Sequence, residues 1–181
     1  MKKIKIPVYW IVTTSLVLLF VFANNIALAI LLKETYRLEE VDLNKYNEYQ
    51  RDFEAKIESF YVKQDIFFTT EFSGYAFIPT NQASPDKTIK LVFASDDKRY
   101  EVDASVIDRF NLRDLFHNKG VVGINHGFIT RFSPLKMDNG IYKLYIYCYE
   151  NENEIGFMDT TKVFEKTYRN FTEVNNIITN Y

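Results

Sequence analysis

A single cysteine, Cys148, excludes any internal disulfide in this chain of 181 residues. Six glycines and four prolines are too few for a low-complexity linker or a collagen-like repeat. Neither sign of charge dominates: 22 basic and 24 acidic side chains leave a formal −2, which gives no electrostatic case for nucleic acid. The two histidines, His117 and His126, have no Cys or His partner at metal-ligand spacing. Asp96, Asp97 and Asp103 lack the loop spacing that wraps calcium. No Gly-x-Ser-x-Gly elbow, P-loop or dinucleotide fingerprint occurs. Glu39 and Glu40 are sequence neighbours, whereas glycoside hydrolysis needs two carboxylates facing each other across a cleft. These absences predict a protein without metal or cofactor, and not an enzyme.

Aromatic residues are abundant instead: 13 Tyr, 16 Phe and 1 Trp make 17% of the chain. That is enough to build a dense core and leave rings over for a surface.

Ile6 to Leu32 carries no charge over 27 residues. At 1.5 Å per residue such a helix is about 40 Å long, more than the ~30 Å hydrocarbon core of a bilayer. Lys2, Lys3 and Lys5 precede it, against Lys33 and Arg37 just after it. This bias places the N-terminus in the cytoplasm, with Tyr9 and Trp10 at the interfacial belt. Ala27-Leu28-Ala29 also fits a signal-peptidase site. The length of the apolar run favours an uncleaved anchor, and both readings export the rest. Asn24 and Asn25, near the outer end, face headgroups or a neighbouring helix.

From Leu38 to Phe60 the apolar residues Tyr46, Tyr49, Phe53, Ile57 and Phe60 are spaced three or four apart, which predicts one face of a helical stalk. The stalk packs on its own domain or makes a homodimer. Beyond Tyr61 the period falls to two. Strands are expected near 62–70, 74–79, 88–94, 99–104, 121–132, 141–149 and 161–168. Asn81 to Asp86 and Ser95-Asp96-Asp97 read as turns, and Asp138-Asn139-Gly140 reads as a tight hairpin. Ser105 to Gly120 reads as a crossover or functional loop with one helical turn. The organisation expected is a tail at 1–5, a transmembrane helix at 6–32, a stalk at 33–61, an antiparallel β-sandwich at 62–170 and a C-terminal tail at 171–181.

Gly74-Tyr75-Ala76-Phe77-Ile78, Lys90 to Ser95, Tyr100, the Arg109–Phe116 loop, His126-Gly127-Phe128 and Asn139 to Leu144 carry a resemblance. Over about half of the chain they resemble an Ig-like β-sandwich module of bacterial membrane proteins of surface-polysaccharide assembly. The resemblance implies an Ig-like fold and an accessory role in making surface glycan. No transferase domain accompanies it here.

In Ile141–Tyr149, alternation sends Tyr142, Leu144, Ile146 and Cys148 to one face and Lys143, Tyr145, Tyr147 and Tyr149 to the other. Tyr145, Tyr147 and Tyr149 form a row of flat rings with polar tips. Such a row suits sugar rings or a protein partner, unless the stalk covers it. Arg109 and Asp114 are candidates for an ion pair that pins the long loop, or for contact with a polar ligand. The function expected is a single-pass, membrane-anchored binding or assembly module outside the cell membrane, with the bilayer and a membrane protein or surface glycan as partners. The alternative is a scaffold of a division or secretion complex acting through the membrane helix and stalk.

Overall fold

The computed structural model describes residues 8–34, 37–42, 53–63, 68–78, 87–119, 124–151 and 154–174. The chain divides into two units, Met1–Glu34 and Thr35–Tyr181. The expected tail at 1–5, the stalk residues Tyr46 and Tyr49, and the turn at Asn81 to Asp86 lie outside the described residues.

The first unit is one helix, α1 (Val8–Glu34), of 27 residues. Its large apolar side chains, from Trp10 through Leu16 and Phe20 to Ile26, are exposed. The hydroxyls of Thr13 and Thr14 donate to the carbonyls of Tyr9 and Trp10, one turn back, at 2.7 and 2.8 Å. Among the described residues, no helix is long and apolar enough to cross a membrane.

The second unit is mainly β, as alternation predicts. Its strands are β1 (Glu39–Val41), β2 (Glu54–Lys63), β3 (Thr69–Phe77), β4 (Thr88–Ala94), β5 (Arg99–Ile107), β6 (Gly127–Phe132), β7 (Gly140–Asn151), β8 (Glu154–Thr167) and β9 (Asn170–Val174). All pairings are antiparallel, in one sheet of order β2-β3-β6-β5-β4-β7-β8-β9, with β1 added on β5. β5 changes layer in mid-course: Arg99–Ala104 pairs with β4, and Ser105–Ile107 pairs with β6. The sheet thereby curls into a near-barrel. Its first and last strands meet through side chains: the Phe60 ring lies 4.9 Å from Phe164 and 6.1 Å from Phe171.

Phe72, Phe93, Phe132, Phe164 and Phe171 fill the interior, fully buried. Their edge-on and stacked contacts add about 0.5–1.5 kcal/mol per pair beyond area burial. β3 is buried on both faces rather than alternately. The reason is α2 (Phe110–Leu115), the helical turn expected in the long segment: at its end, Phe116 covers Phe77 at 5.2 Å and Tyr75 at 5.5 Å.

Three expectations need correction. Beyond Glu34, where α1 ends, the stalk expected at 33–61 is not helical where it is described: Glu39–Val41 and Glu54–Lys63 are strands of the β unit. A β-bulge between Ile57 and Ser59 makes Glu58 an extra residue, so Ile57 and Phe60 pair with Gly74 and Phe72 and face the same side. Three-residue spacing therefore imitated a helix. The β unit accordingly begins before residue 62 and takes in Asn170–Val174 of the expected tail.

The expected strand at 62–70 joins the end of β2 to the start of β3. Finally, Asp138-Asn139-Gly140 is a turn but not a hairpin, because β6 pairs with β3 and β5 while β7 pairs with β4 and β8. The Asn139 side chain instead accepts the N–H of Tyr168 at 2.7 Å, supporting the two-residue β8–β9 turn.

Tyr142 is tied to this crossing, its hydroxyl donating to the Asp138 carbonyl at 3.0 Å. Burial first, then the nearby Tyr100 and Asp138, push its phenol up to about 12. The folded state thus holds this proton more tightly than the unfolded chain, where tyrosine titrates near about 10. The contribution is intact below pH about 10 and is lost as pH rises through about 12. In denaturation at graded alkaline pH, Tyr142→Phe is expected to shed up to about 2 kcal/mol of that loss. An unchanged alkaline slope contradicts it.

Candidate functional site

The alternation read along β7 is what the fold displays. Tyr142, Leu144, Ile146 and Cys148 are buried, while Tyr145, Tyr147 and Tyr149 are half-buried on the outer face. Cys148 is buried in the core. The register extends the tyrosine row sideways. Glu101, Val92, Tyr145 and Asp159 lie opposite one another across β5, β4, β7 and β8, and so do Asp103, Lys90, Tyr147 and Phe157. Tyr145 stacks on Phe157 with ring centroids 4.9 Å apart and planes 7° from parallel.

Beside the tyrosines, the Lys90 ammonium bridges Glu101 at 2.8 Å and Asp103 at 3.2 Å. Burial pulls the Lys90 pKa down, but the hydrogen bonds and charges of the two carboxylates outweigh it and hold it above its usual value. This triad is polar chemistry satisfied within the sheet. Asp97 accepts the Ser95 hydroxyl at 3.0 Å, the ordinary geometry of a polar turn.

The next row of the outer face runs Arg99, Ala94, Lys143, Val163, Val174 across β5, β4, β7, β8 and β9. Ala94 is the shortest side chain there, and over it lies an open groove of about 1050 Å³. This is just above the roughly 300–1,000 Å³ usual for small-ligand sites. The Ser95–Lys98 turn, Asp138–Ile141 and Tyr145 wall it. Between the rows of Tyr145 and Lys143, the β7–β8 register is irregular. Thr161 sits there at φ 60°, an uncommon conformation for a β-branched residue. It is held by its N–H bond to Asp159 at 2.7 Å, beside a 2.7 Å bond from Thr160 to the Leu144 carbonyl.

Arg109 and Asp114 do not pair with each other and do not join the tyrosine face. Arg109 grips the bulge residue Glu58 with two hydrogen bonds, at 2.7 and 3.3 Å, and reaches Asn111 at 3.2 Å. The Glu58 hydrogen bond raises the Arg109 pKa. Arg109 therefore pins the α2 segment to β2, a link worth about 0–1 kcal/mol at this partly exposed position. Among the described residues Asp114 meets its exposed neighbour Arg113, at 3.5 Å. His126 is buried, with Nδ1 3.0 Å from the Lys87 ammonium, and His117 is exposed on a 3₁₀ turn. Among the described residues no group of three His, Cys, Asp or Glu side chains could hold a metal.

Sequence reasoning missed Phe157 and the groove floor. Alternation places residues on faces, but only register brings Ala94, Lys143 and Val163 into one row. No family model, curated protein or solved structure matches this chain.

Proposed function

We propose that this protein is a non-enzymatic binding module of the cell envelope. α1 anchors it in the membrane with the N-terminus cytoplasmic, and the β unit works outside. The observation that carries the binding role is the row of half-exposed tyrosines on β7, continuous with the groove at Tyr145. Flat rings with polar tips on an outward face suit a saccharide ring or a partner surface. The resemblance to an Ig-like module of surface-polysaccharide assembly favours a glycan as the ligand and an accessory role in its synthesis.

The anchor is supported by the 27-residue uncharged run, the Lys2-Lys3-Lys5 cluster before it and the exposed apolar surface of α1. The hydroxyls of Thr13 and Thr14 are satisfied within the helix, as a lipid environment requires. The alternative, a scaffold acting through its membrane helix and stalk, loses the helical form of the stalk over Glu54–Lys63, which is a strand.

The full chain is expected to stay with membranes through alkaline carbonate washing, and release into the wash overturns the anchor. Reconstituted in nanodiscs, it is expected to bind purified cell-surface polysaccharide. Tyr145→Ala with Tyr147→Ala is expected to weaken that binding about thirtyfold, the scale of a central aromatic anchor. Undiminished binding by the double variant removes the tyrosine face from the function.

A further inference from the structure

Building on that reading, we infer that the groove over Ala94 takes a neutral saccharide unit, with Tyr145 as its stacking wall, and that charged polymers are not its ligands. Three carboxylates, Asp96, Asp97 and Asp138, and three cations, Lys98, Arg99 and Lys143, line it. The lining is balanced, so it offers a polyanion no net attraction and a polycation none either.

The charges are also unequally available. Lys98 is locked to Asp138 at 2.6 Å. Lys143, exposed, makes no ion pair or side-chain hydrogen bond among the described residues. It stands across Ala94 from Arg99, in register. Neighbouring strands lie about 4.8 Å apart, so the two cations flank a gap of roughly 10 Å between their backbones, floored by one methyl group. A pyranose ring is an object of that scale, with an apolar face for an aromatic wall and hydroxyls that both donate and accept. The exposed Lys143 ammonium supplies a donor, and the Asp96 and Asp97 carboxylates supply acceptors. Fixed donors and acceptors of both kinds around a small apolar floor select hydroxyl-bearing ligands by hydrogen bonding rather than by charge.

The irregular β8 segment is part of the same place. Thr161 holds a left-handed backbone in the register gap between Tyr145 and Lys143, the two β7 residues that wall and rim the groove. Strain of this kind, of order 1–3 kcal/mol, concentrates where a ligand surface is shaped.

The experiment uses the full chain in nanodiscs against cello-, malto- and chito-oligosaccharides as neutral probes, and poly(glycerol phosphate) and polygalacturonate as anionic ones. Binding of at least one neutral series is expected. Its affinity is expected to change less than about twofold between roughly 50 and 500 mM salt, because screening acts on charge–charge attraction. Ala94→Phe, on the outer face where added bulk leaves the core intact, is expected to lower affinity at least about tenfold. Lys143→Gln is expected to cost about three- to tenfold, the scale of one hydrogen bond. Binding of the anionic probes alone, falling steeply with salt, overturns the inference while leaving a glycan-binding module. Neutral binding untouched by both variants overturns the groove as its seat. Binding of no saccharide of either kind overturns the glycan reading beneath it.

Discussion

Phe72→Ala is expected to lower the stability of the β unit by about 3–5 kcal/mol, the usual cost of emptying a phenylalanine site in a core. Phe72 has no exposed surface, and its ring touches rings from four other strands. Phe60 lies at 4.8 Å, Phe164 at 5.4 Å, Phe93 at 5.7 Å and Phe132 at 6.0 Å. Those neighbours are themselves held by β2, β4, β6 and β8, so they cannot all collapse into the space. The lost ring costs both its transfer free energy and a cavity. At about 2–4 °C per kcal/mol for a domain near this size, the melting temperature drops by roughly 10 °C. Denaturant unfolding of the full chain measures it. Tyr168→Ala, on an exposed turn, is the control and is expected to stay within about 0.5 kcal/mol. A Phe72→Ala loss below about 1 kcal/mol contradicts the packing described.

Gly74→Ala is the second large effect, at about 2–4 kcal/mol. A Cβ at Gly74 meets the Lys56 carbonyl oxygen at 2.0 Å, with the Lys56 carbonyl carbon and Phe128 Cζ at 3.0 Å. The first two are backbone atoms of the paired strand, so no rotamer change relieves the contact. β2 must move away from β3 at its bulge, loosening Glu58 and with it the Arg109 clamp on the α2 segment. Hydrogen exchange is expected to rise first at the β2 amides around Ile57. Gly140→Ala provides the contrast. Its Cβ would sit 3.6 Å from Tyr142 Cε2, ordinary contact, and the cost is expected to be below about 1 kcal/mol. Equal losses at the two glycines refute the close approach.

The sequence was most legible where one side of a strand meets the core and the other meets water. β4 begins and ends where the pattern said, and every buried and outward residue of β7 from Tyr142 to Tyr149 was placed on its correct face. It was least legible where one inserted residue changes parity. Glu58 turns an alternating strand into a 57-to-60 repeat that a helix would also give, and nothing local distinguishes them. Asn139-Gly140 advertised a hairpin because turn chemistry is local, whereas strand order is not.

Arg109 finds its partner 51 residues away, on a strand whose spacing imitates a helix. The tyrosine row was visible as a row, but its width was not. Phe157 and the Ala94 gap enter through pairing among β4, β7 and β8, and register is a property of the assembled sheet.

The change of partner along β5 has a mechanical meaning. Ala104 and Ser105 are consecutive, yet the first is stitched to β4 and the second to β6. A protease nick between them is therefore expected to liberate no folded fragment, since each half would take away an edge the other needs. The two walls are therefore expected to melt as one.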